Sequence, residues 1–142
     1  MKKVRELLAE KGTKVWSVAP TASVLDALNV MVEKNIGAVL VMDEDRLVGI
    51  ISERDHTRDV VLEGRTAKDT LVSDAMTPRP VCVRPDQTVD DCMALMTDKR
   101  VRHLPVLEED RVVGLISIGD AVNATISQQQ FVIAQLETYI SS

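Results

Sequence analysis

The heptapeptide GIISERD, Gly49 to Asp55, recurs as GLISIGD, Gly114 to Asp120, 65 positions further along a chain of 142 residues. Each copy holds a glycine, two branched apolar residues, a serine and, three positions on, an aspartate. Such a phrase is repeated either because it solves one folding problem twice or because it builds one kind of site twice. Sliding the chain against itself by 65 positions lays Lys14–Asp55 over Arg79–Asp120 without a gap, with 15 identities in 42 positions. Val18, Pro20, Val24, Asp26, Met31 and Lys34 open that match; Val41, Glu44, Asp45, Arg46, Val48, Gly49, Ile51, Ser52 and Asp55 complete it. The chain therefore carries an internal duplication, and each copy has to be read as one structural unit.

The units read alike. A short extended piece (VWSVA, or VCVR) leads to a proline, and Ser23 or Thr88 follows with an aspartate three positions on, the pattern of a capping box. Val24, Ala27, Leu28, Met31 and Val32 then form an amphipathic stripe, repeated by Val89, Cys92, Met93 and Met96. AVLVM and LVGII flank the polar turn DEDR, as LPVLE and VVGLI flank EEDR, which predicts two adjacent strands in each copy. Ser52 and Ser117 end the second strand and start another helix, so each repeat is β-α-β-β-α. One repeat alone would bury too little, and two are expected to close their sheets over a shared core. A helix over VRELLAEK ends at Gly12, and residues 63–76 form the crossover. The last helix carries Val122, Ile126, Ile133, Leu136 and Ile140 on one stripe, expected either to pack on its own domain or to meet a second copy. The expected division is residues 1–66 for the first repeat with its N-terminal helix, 67–125 for the second, and 126–142 for a C-terminal helix.

Bulk composition narrows the function classes. Apolar residues make up 45%, yet there is one Phe, one Tyr and one Trp, so the core is aliphatic. The net charge is −5 with no long basic run, which argues against a nucleic-acid footprint while leaving room for a local anion site. Cys82 and Cys92 match no zinc or redox spacing and read as packed thiols in a reducing compartment. The opening MKKVRELLAEKG lacks an apolar signal core, and no run approaches the roughly 20 residues of a membrane helix. A soluble cytoplasmic protein is expected.

The tandem repeat, the phrases VMDEDRLVGIISERD and RVRHLPVLEEDRVVGLISIGD, and the AMTPRPV opening the second copy closely resemble a CBS-domain pair, or Bateman module. The resemblance runs from about Val4 to Thr125. It implies an α+β fold in which two β-α-β-β-α repeats are related by a pseudo-two-fold axis, here with an added C-terminal helix. It also implies two clefts between the repeats for adenosine-containing ligands, AMP foremost, with ADP, ATP, NAD(H) and S-adenosylmethionine as alternatives. A homodimer and a regulated protein partner are implied as well.

Ser-x-x-Asp at a strand-to-helix junction is a cap in its own right, hydroxyl to the N3 amide and carboxylate near the positive helix end. The same geometry suits a nucleotide, since helix-terminal amides attract phosphate and a carboxylate accepts from two vicinal ribose hydroxyls. The resemblance tips Ser52, Asp55, Ser117 and Asp120 toward a site, with the aspartates on the ribose hydroxyls. It joins Ser52 and Asp55 to Arg79, Pro80 and Val81 and to the basic segment holding Arg100, Arg102 and His103. Those cations either grip phosphate or form a solvated face. Ser117 and Asp120 are joined to Lys14, Val15, Trp16, Ile36, Gly37 and Ala38. That second cleft has Gly37 and Ala38 where its twin has Arg102 and His103, so a weaker phosphate grip is expected; Trp16 either stacks on a base or fills the space. Arg54 and Arg58, four apart on a helix, add potential at the first cleft or are solvated.

No catalytic signature, P-loop or dinucleotide-binding motif is present, and two histidines with two distant cysteines make no metal site. Enzymes that contain CBS pairs perform their chemistry in another domain, so no activity, catalytic cofactor or metal is expected. Two classes of function stay open: a ligand-sensing regulatory module, or a ligand-free interaction module whose Ser-x-x-Asp pairs are only caps.

Overall fold

A computed structural model describes residues 2–141; positions 1 and 142, which end the expected divisions, lie outside it. In chain order the elements are α1 (Val4–Lys11), β1 (Ser17–Val18), α2 (Val24–Lys34), β2 (Ala38–Asp43), β3 (Arg46–Ser52) and α3 (Glu53–His56). A π-helical turn over Thr57–Val61 extends α3. Then follow α4 (Val72–Ala75), β4 (Thr77–Pro78), α5 (Val89–Lys99), β5 (His103–Glu108), β6 (Arg111–Ser117) and α6 (Ile118–Ser141). The α+β architecture is the one expected from the duplication.

Each repeat is organised by a β-hairpin, and the two hairpins match residue for residue. Strands β2 and β3 pair antiparallel from Ala38↔Ser52 to Asp43↔Arg46, and β5 and β6 from His103↔Ser117 to Glu108↔Arg111. Even the register breaks are equivalent, Val41/Met42 in one and Val106/Leu107 in the other. β1 adds a parallel strand beside β2, and the single parallel bridge Val83↔Val106 does the same for β5. The helices start where the sequence marks them. Ser23 Oγ accepts from the Asp26 amide at 3.1 Å and Thr88 Oγ1 from the Asp91 amide at 3.0 Å, each satisfying an otherwise orphaned donor.

The packing departs from a single shared core. Buried side chains form two clusters. One joins Val24, Ala27, Met31, Val39, Val41 and Ile51 to Val60, Val72 and Ala75. The other joins Val83, Val89, Cys92, Met96, Leu104, Val106 and Ile116 to Val4, Leu7 and Leu8. The opening helix α1 thus covers the second repeat, while α4, which precedes the second repeat, covers the first. Reciprocal antiparallel bridges, Lys3↔Thr88 and Ser23↔Leu71, express the same exchange and relate the repeats by a pseudo-two-fold. Because each sheet face is closed by the segment that precedes the other repeat, two separate cores result.

This exchange accounts for the glycine in the repeated phrase. A Cβ on Gly114 would stand 2.6 Å from Leu8 Cδ2. One on Gly49 would stand 2.5 Å from Met76 Sδ and 3.0 Å from the Thr77 carbonyl oxygen. Both glycines let the exchanged segment approach the strand.

Two expectations about apolar stripes are corrected. Val32 is 82% exposed, because α2 buries only its Val24, Ala27 and Met31 face. In α6 only Ala121 and Ala124 are buried, and every described residue from Ile126 onward is exposed. The helix runs past the end of its repeat, so Ile126, Ile133, Leu136 and Ile140 have no surface of their own domain to pack against.

Candidate functional site

A cleft of about 500 Å³ opens between the repeats. Its first wall is the end of β3 and the helix after it, with Ser52, Asp55 and Gly37; its second is Arg79, Pro80 and Val81 with Arg100, Arg102 and His103. All eight residues expected around the first Ser-x-x-Asp phrase therefore meet in one cavity. Gly37, expected in the other cleft, lies here too: a Cβ on it would sit 3.8 Å from the His103 imidazole.

Ser52 and Asp55 form a complete capping box. The Ser52 amide donates to Asp55 Oδ2 at 2.8 Å, the Ser52 hydroxyl donates to the same oxygen at 3.1 Å, and the Asp55 amide donates back to Ser52 Oγ at 3.3 Å. The Glu53 amide is also consumed, by the Gly37 carbonyl at 3.1 Å. These amides are therefore not free for a phosphate, and anion recognition in this cleft falls to side chains. Asp55 Oδ1 takes part in no hydrogen bond among the described residues, which leaves a spare acceptor on a residue that lines the cavity. The residue is only 9% exposed. Burial pushes its carboxyl above the usual range; the Ser52 bonds oppose this, Asp59 adds to it and Arg58 opposes it.

On the cationic side of the cleft, the alternatives left open for Arg54 and Arg58 resolve toward the lining. Arg54, Arg58 and Lys99 line the cleft together with Arg79, Arg100 and Arg102. The i, i+4 spacing of Arg54 and Arg58 put both on one face, and it is the cleft face. Among the described residues none of these five arginines forms a salt bridge; Lys99 pairs with its neighbour Asp98 at 3.7 Å. His103 is held below the ordinary imidazole range by burial, with Lys11 and Arg102 adding repulsion and Asp120 opposing, so it is neutral at pH 7. Ile50, Glu53, Thr77 and Val101, which stand inside the quoted phrases without having been singled out, complete the lining.

The second Ser-x-x-Asp phrase keeps both amide bonds of the capping box and has a different neighbour. The Ser117 amide donates to Asp120 Oδ2 at 2.8 Å, and the Asp120 amide to Ser117 Oγ at 3.1 Å. The Lys11 ammonium, at the end of α1, pairs with Asp120 and also donates to the Leu115 carbonyl. Burial alone would raise the Asp120 carboxyl, but the Lys11 and Ser117 bonds hold it below the usual range. Asp120 lines a smaller cavity of about 220 Å³ between α1 and α6, with Lys2, Glu10 and Asn123. Trp16 is half-buried against the first core, its ring flanked by the ammonium groups of Lys14 at 4.8 Å and Lys34 at 4.3 Å. Lys14 is exposed, Val15 and Ile36 are half-buried, and Ala38 is buried in β2. None of these five lines either of the two cavities.

Elsewhere, Cys82 and Cys92 are free thiols, and burial pushes Cys92 up to about 11. Among the described residues no cluster of three or more metal-ligating side chains occurs, and no helix is long and apolar enough to cross a membrane.

Comparison with known proteins agrees with the duplication. The family model described as the CBS domain matches twice, at residues 4–55 and 72–127. The chain is 37% identical over 134 residues to the mitochondrial CBS domain-containing protein CBSX3 of Arabidopsis thaliana, covering 91% of this chain but 65% of that protein, slightly under two thirds of its length. It superposes with a TM-score of 0.87 on a signal-transduction protein with CBS domains from Burkholderia ambifaria, 45% identical, over 90% of this chain and 96% of that one. A more distant likeness, at 20% identity and TM-score 0.80, is to the CBS domain pair of protein MJ0100, solved in complex with 5′-methylthioadenosine and S-adenosyl-L-methionine, and it covers 90% of this chain and 98% of that one. With two family matches in register on its two structural repeats, this chain belongs to the CBS-domain family as a tandem pair.

Proposed function

We propose that the protein is a regulatory module without catalysis of its own that binds an adenosine-containing ligand in the Ser52–Asp55 cleft. The observation that carries this is the meeting, in one cavity between the repeats, of a buried carboxylate and a set of arginines, with one carboxylate oxygen unbonded and no arginine of the set in a salt bridge among the described residues. Asp55 Oδ1 accepts from the ribose hydroxyls, and Pro80 and Val81 offer apolar surface to the base. The arginines take phosphate through paired N–H bonds. AMP is the smallest ligand that uses all three features. Support of a general kind comes from the adenosine compounds held by the distant CBS pair of MJ0100.

The Ser117–Asp120 phrase is read differently. Lys11 already neutralises Asp120, so this copy serves as a helix cap tied to α1, and one ligand binds per chain. Because the walls of the occupied cleft come from both repeats, a ligand bridges them and favours one relative arrangement in proportion to its affinity for that arrangement. The module acts on a further protein through that change, as a homodimer. The exposed stripe of α6 is the dimer contact, for it repeats at coiled-coil spacing with Ile126, Ile133 and Ile140 on one line and Val122 and Leu136 on the next. Past Asp120 the helix carries a single charged residue, Glu137, so a second copy meets little repulsion. Calorimetric titration with AMP, with Asp55→Ala as control, tests the binding.

A further inference from the structure

Resting on the reading of α6 as the dimer contact, the geometry points to the surface its arm meets. We infer that Ile133, Leu136 and Ile140 of one copy seat on Leu25, Leu28 and Val32 of α2 in a second copy, and that the exchange is reciprocal.

The first argument compares the two repeats. At the offset of 65, Leu25, Leu28 and Val32 on α2 are equivalent to Asp90, Met93 and Thr97 on α5. The spacing i, i+3, i+7 sets each trio on one line of its helix. On α2 that line is wholly apolar and lies open, with Leu25 exposed, Val32 more so and Leu28 half-buried. The first core does not need it, since α2 fills that core from Val24, Ala27 and Met31. On α5 the line is polar at both ends, and its middle residue, half-buried Met93, accepts the Thr125 hydroxyl of α6 at 3.3 Å. Leu71, which bridges to Ser23 at the start of α2, is exposed as well. Its equivalent, set by the matching bridge to Thr88, is Lys3. An apolar surface thus stands on the first repeat where the second is polar.

The second argument is the match to the arm. Ile133, Leu136 and Ile140 repeat the i, i+3, i+7 spacing, and all three are more than half exposed. The line is about 10 Å long on either helix, so the side chains of one can fill the grooves of the other along its whole length. In its own chain the arm stands clear, every described residue from Ile126 onward being exposed, so a second copy supplies the surface. The only charge on the arm is Glu137. Laid on α2, the apolar line covers no charge of the seat, whereas on α5 it would bury the Asp90 carboxylate at a cost in solvation. Two arms coiled on each other match less well. From Ile126 to Ile140 there are two heptads, Gln129 takes the inward place between Ile126 and Ile133, and the flanks lack the opposite charges that hold a coiled coil. An anionic membrane surface finds no Lys or Arg on the arm.

The test is cross-linking of the full chain under mild oxidation, read beside sedimentation velocity. Mixing Val32→Cys protein with Leu136→Cys protein is expected to give a disulfide-linked pair containing one chain of each, several-fold more abundant than either self-linked pair. Thr97→Cys mixed with Leu136→Cys is expected to link no more than wild type, whose thiols are half-buried Cys82 and buried Cys92. The double variant L25D/V32T, which installs the residues of α5, is expected to raise the dimer dissociation constant about tenfold or more with unchanged circular dichroism. If that variant fails to fold, the cysteine pairs, which change no charge, decide. Self-linked Leu136→Cys without the mixed pair, linking through Thr97→Cys, or a folded L25D/V32T that dimerises as wild type overturns the inference and leaves α6 as the dimer contact. A chain ended after Ser127 that keeps the full-length oligomer, or a full chain that stays monomeric, overturns both.

Discussion

At the scale of single residues the two copies of one phrase have opposite electrostatics. Asp55 and Asp120 share the same bond to the serine amide, 2.8 Å in each, yet burial raises the first carboxyl and Lys11 lowers the second. A raised native value means the charged form costs stability: the contribution of Asp55 is full below 3.8 and is lost as pH rises through its native value. A lowered value has the reverse sense: the contribution of Asp120 is full above 3.8 and is lost as pH falls through its native value. In ligand-free protein, Asp55→Asn is therefore expected to melt no lower than wild type at pH 7. Asp120→Asn is expected to lose about 1 kcal/mol at pH 7, a difference that closes on acidification. Thermal melts from pH 3 to pH 7 check both. A destabilised Asp55 beside arginines that form no salt bridge among the described residues is what a binding site looks like before its ligand arrives.

At the scale of elements, the repeat alignment made the hairpins, both capping boxes and the start of each long helix legible, because those features depend on residues close in sequence. The exchange of α1 and α4 was not legible, since it joins Leu8 to Gly114 and Met76 to Gly49 across the duplication. Its only trace was the repeated glycine, which a strand reading passes over. The first cleft was legible through the resemblance carried by the phrase and the basic segment after α5; the sequence left Arg54 and Arg58 open between cleft and solvent, and the approach of the two repeats puts both, with Lys99, on the lining. The pairing of Lys11 with Asp120 lay outside any pattern, being a contact between the opening helix and the last one. The exchange makes a specific prediction. Gly114→Ala pushes a methyl group into Leu8 and is expected to cost about 1–3 kcal/mol by overpacking. Leu8→Ala alone opens a cavity, and the double variant is expected to cost less than the sum of the two, as denaturant unfolding of all four proteins would measure.

At the scale of the whole molecule, two cores, each closed by a segment from outside its own repeat, hold the repeats together while leaving a cleft between them. On the proposed function, a ligand bound there would touch both halves, the route by which binding would reach the surface of the module. The long helix α6 gives that surface an apolar arm, with Ile133 53%, Leu136 55% and Ile140 80% exposed. Ending the chain after Ser127 removes most of this stripe and none of the buried residues, so the truncated protein is expected to keep its melting temperature. It is also expected to shift toward monomer in analytical ultracentrifugation. Retention of the full-length oligomer would place the contact elsewhere.

The central claim is that the Ser52–Asp55 cleft holds an adenosine ligand, and isothermal titration of the nucleotide-stripped protein with AMP addresses it most directly. The prediction is saturable heat with one ligand per chain, abolished in Asp55→Ala and kept in Asp120→Ala. No heat at millimolar AMP, together with an unmoved melting temperature, would contradict the claim and return both phrases to the role of helix caps.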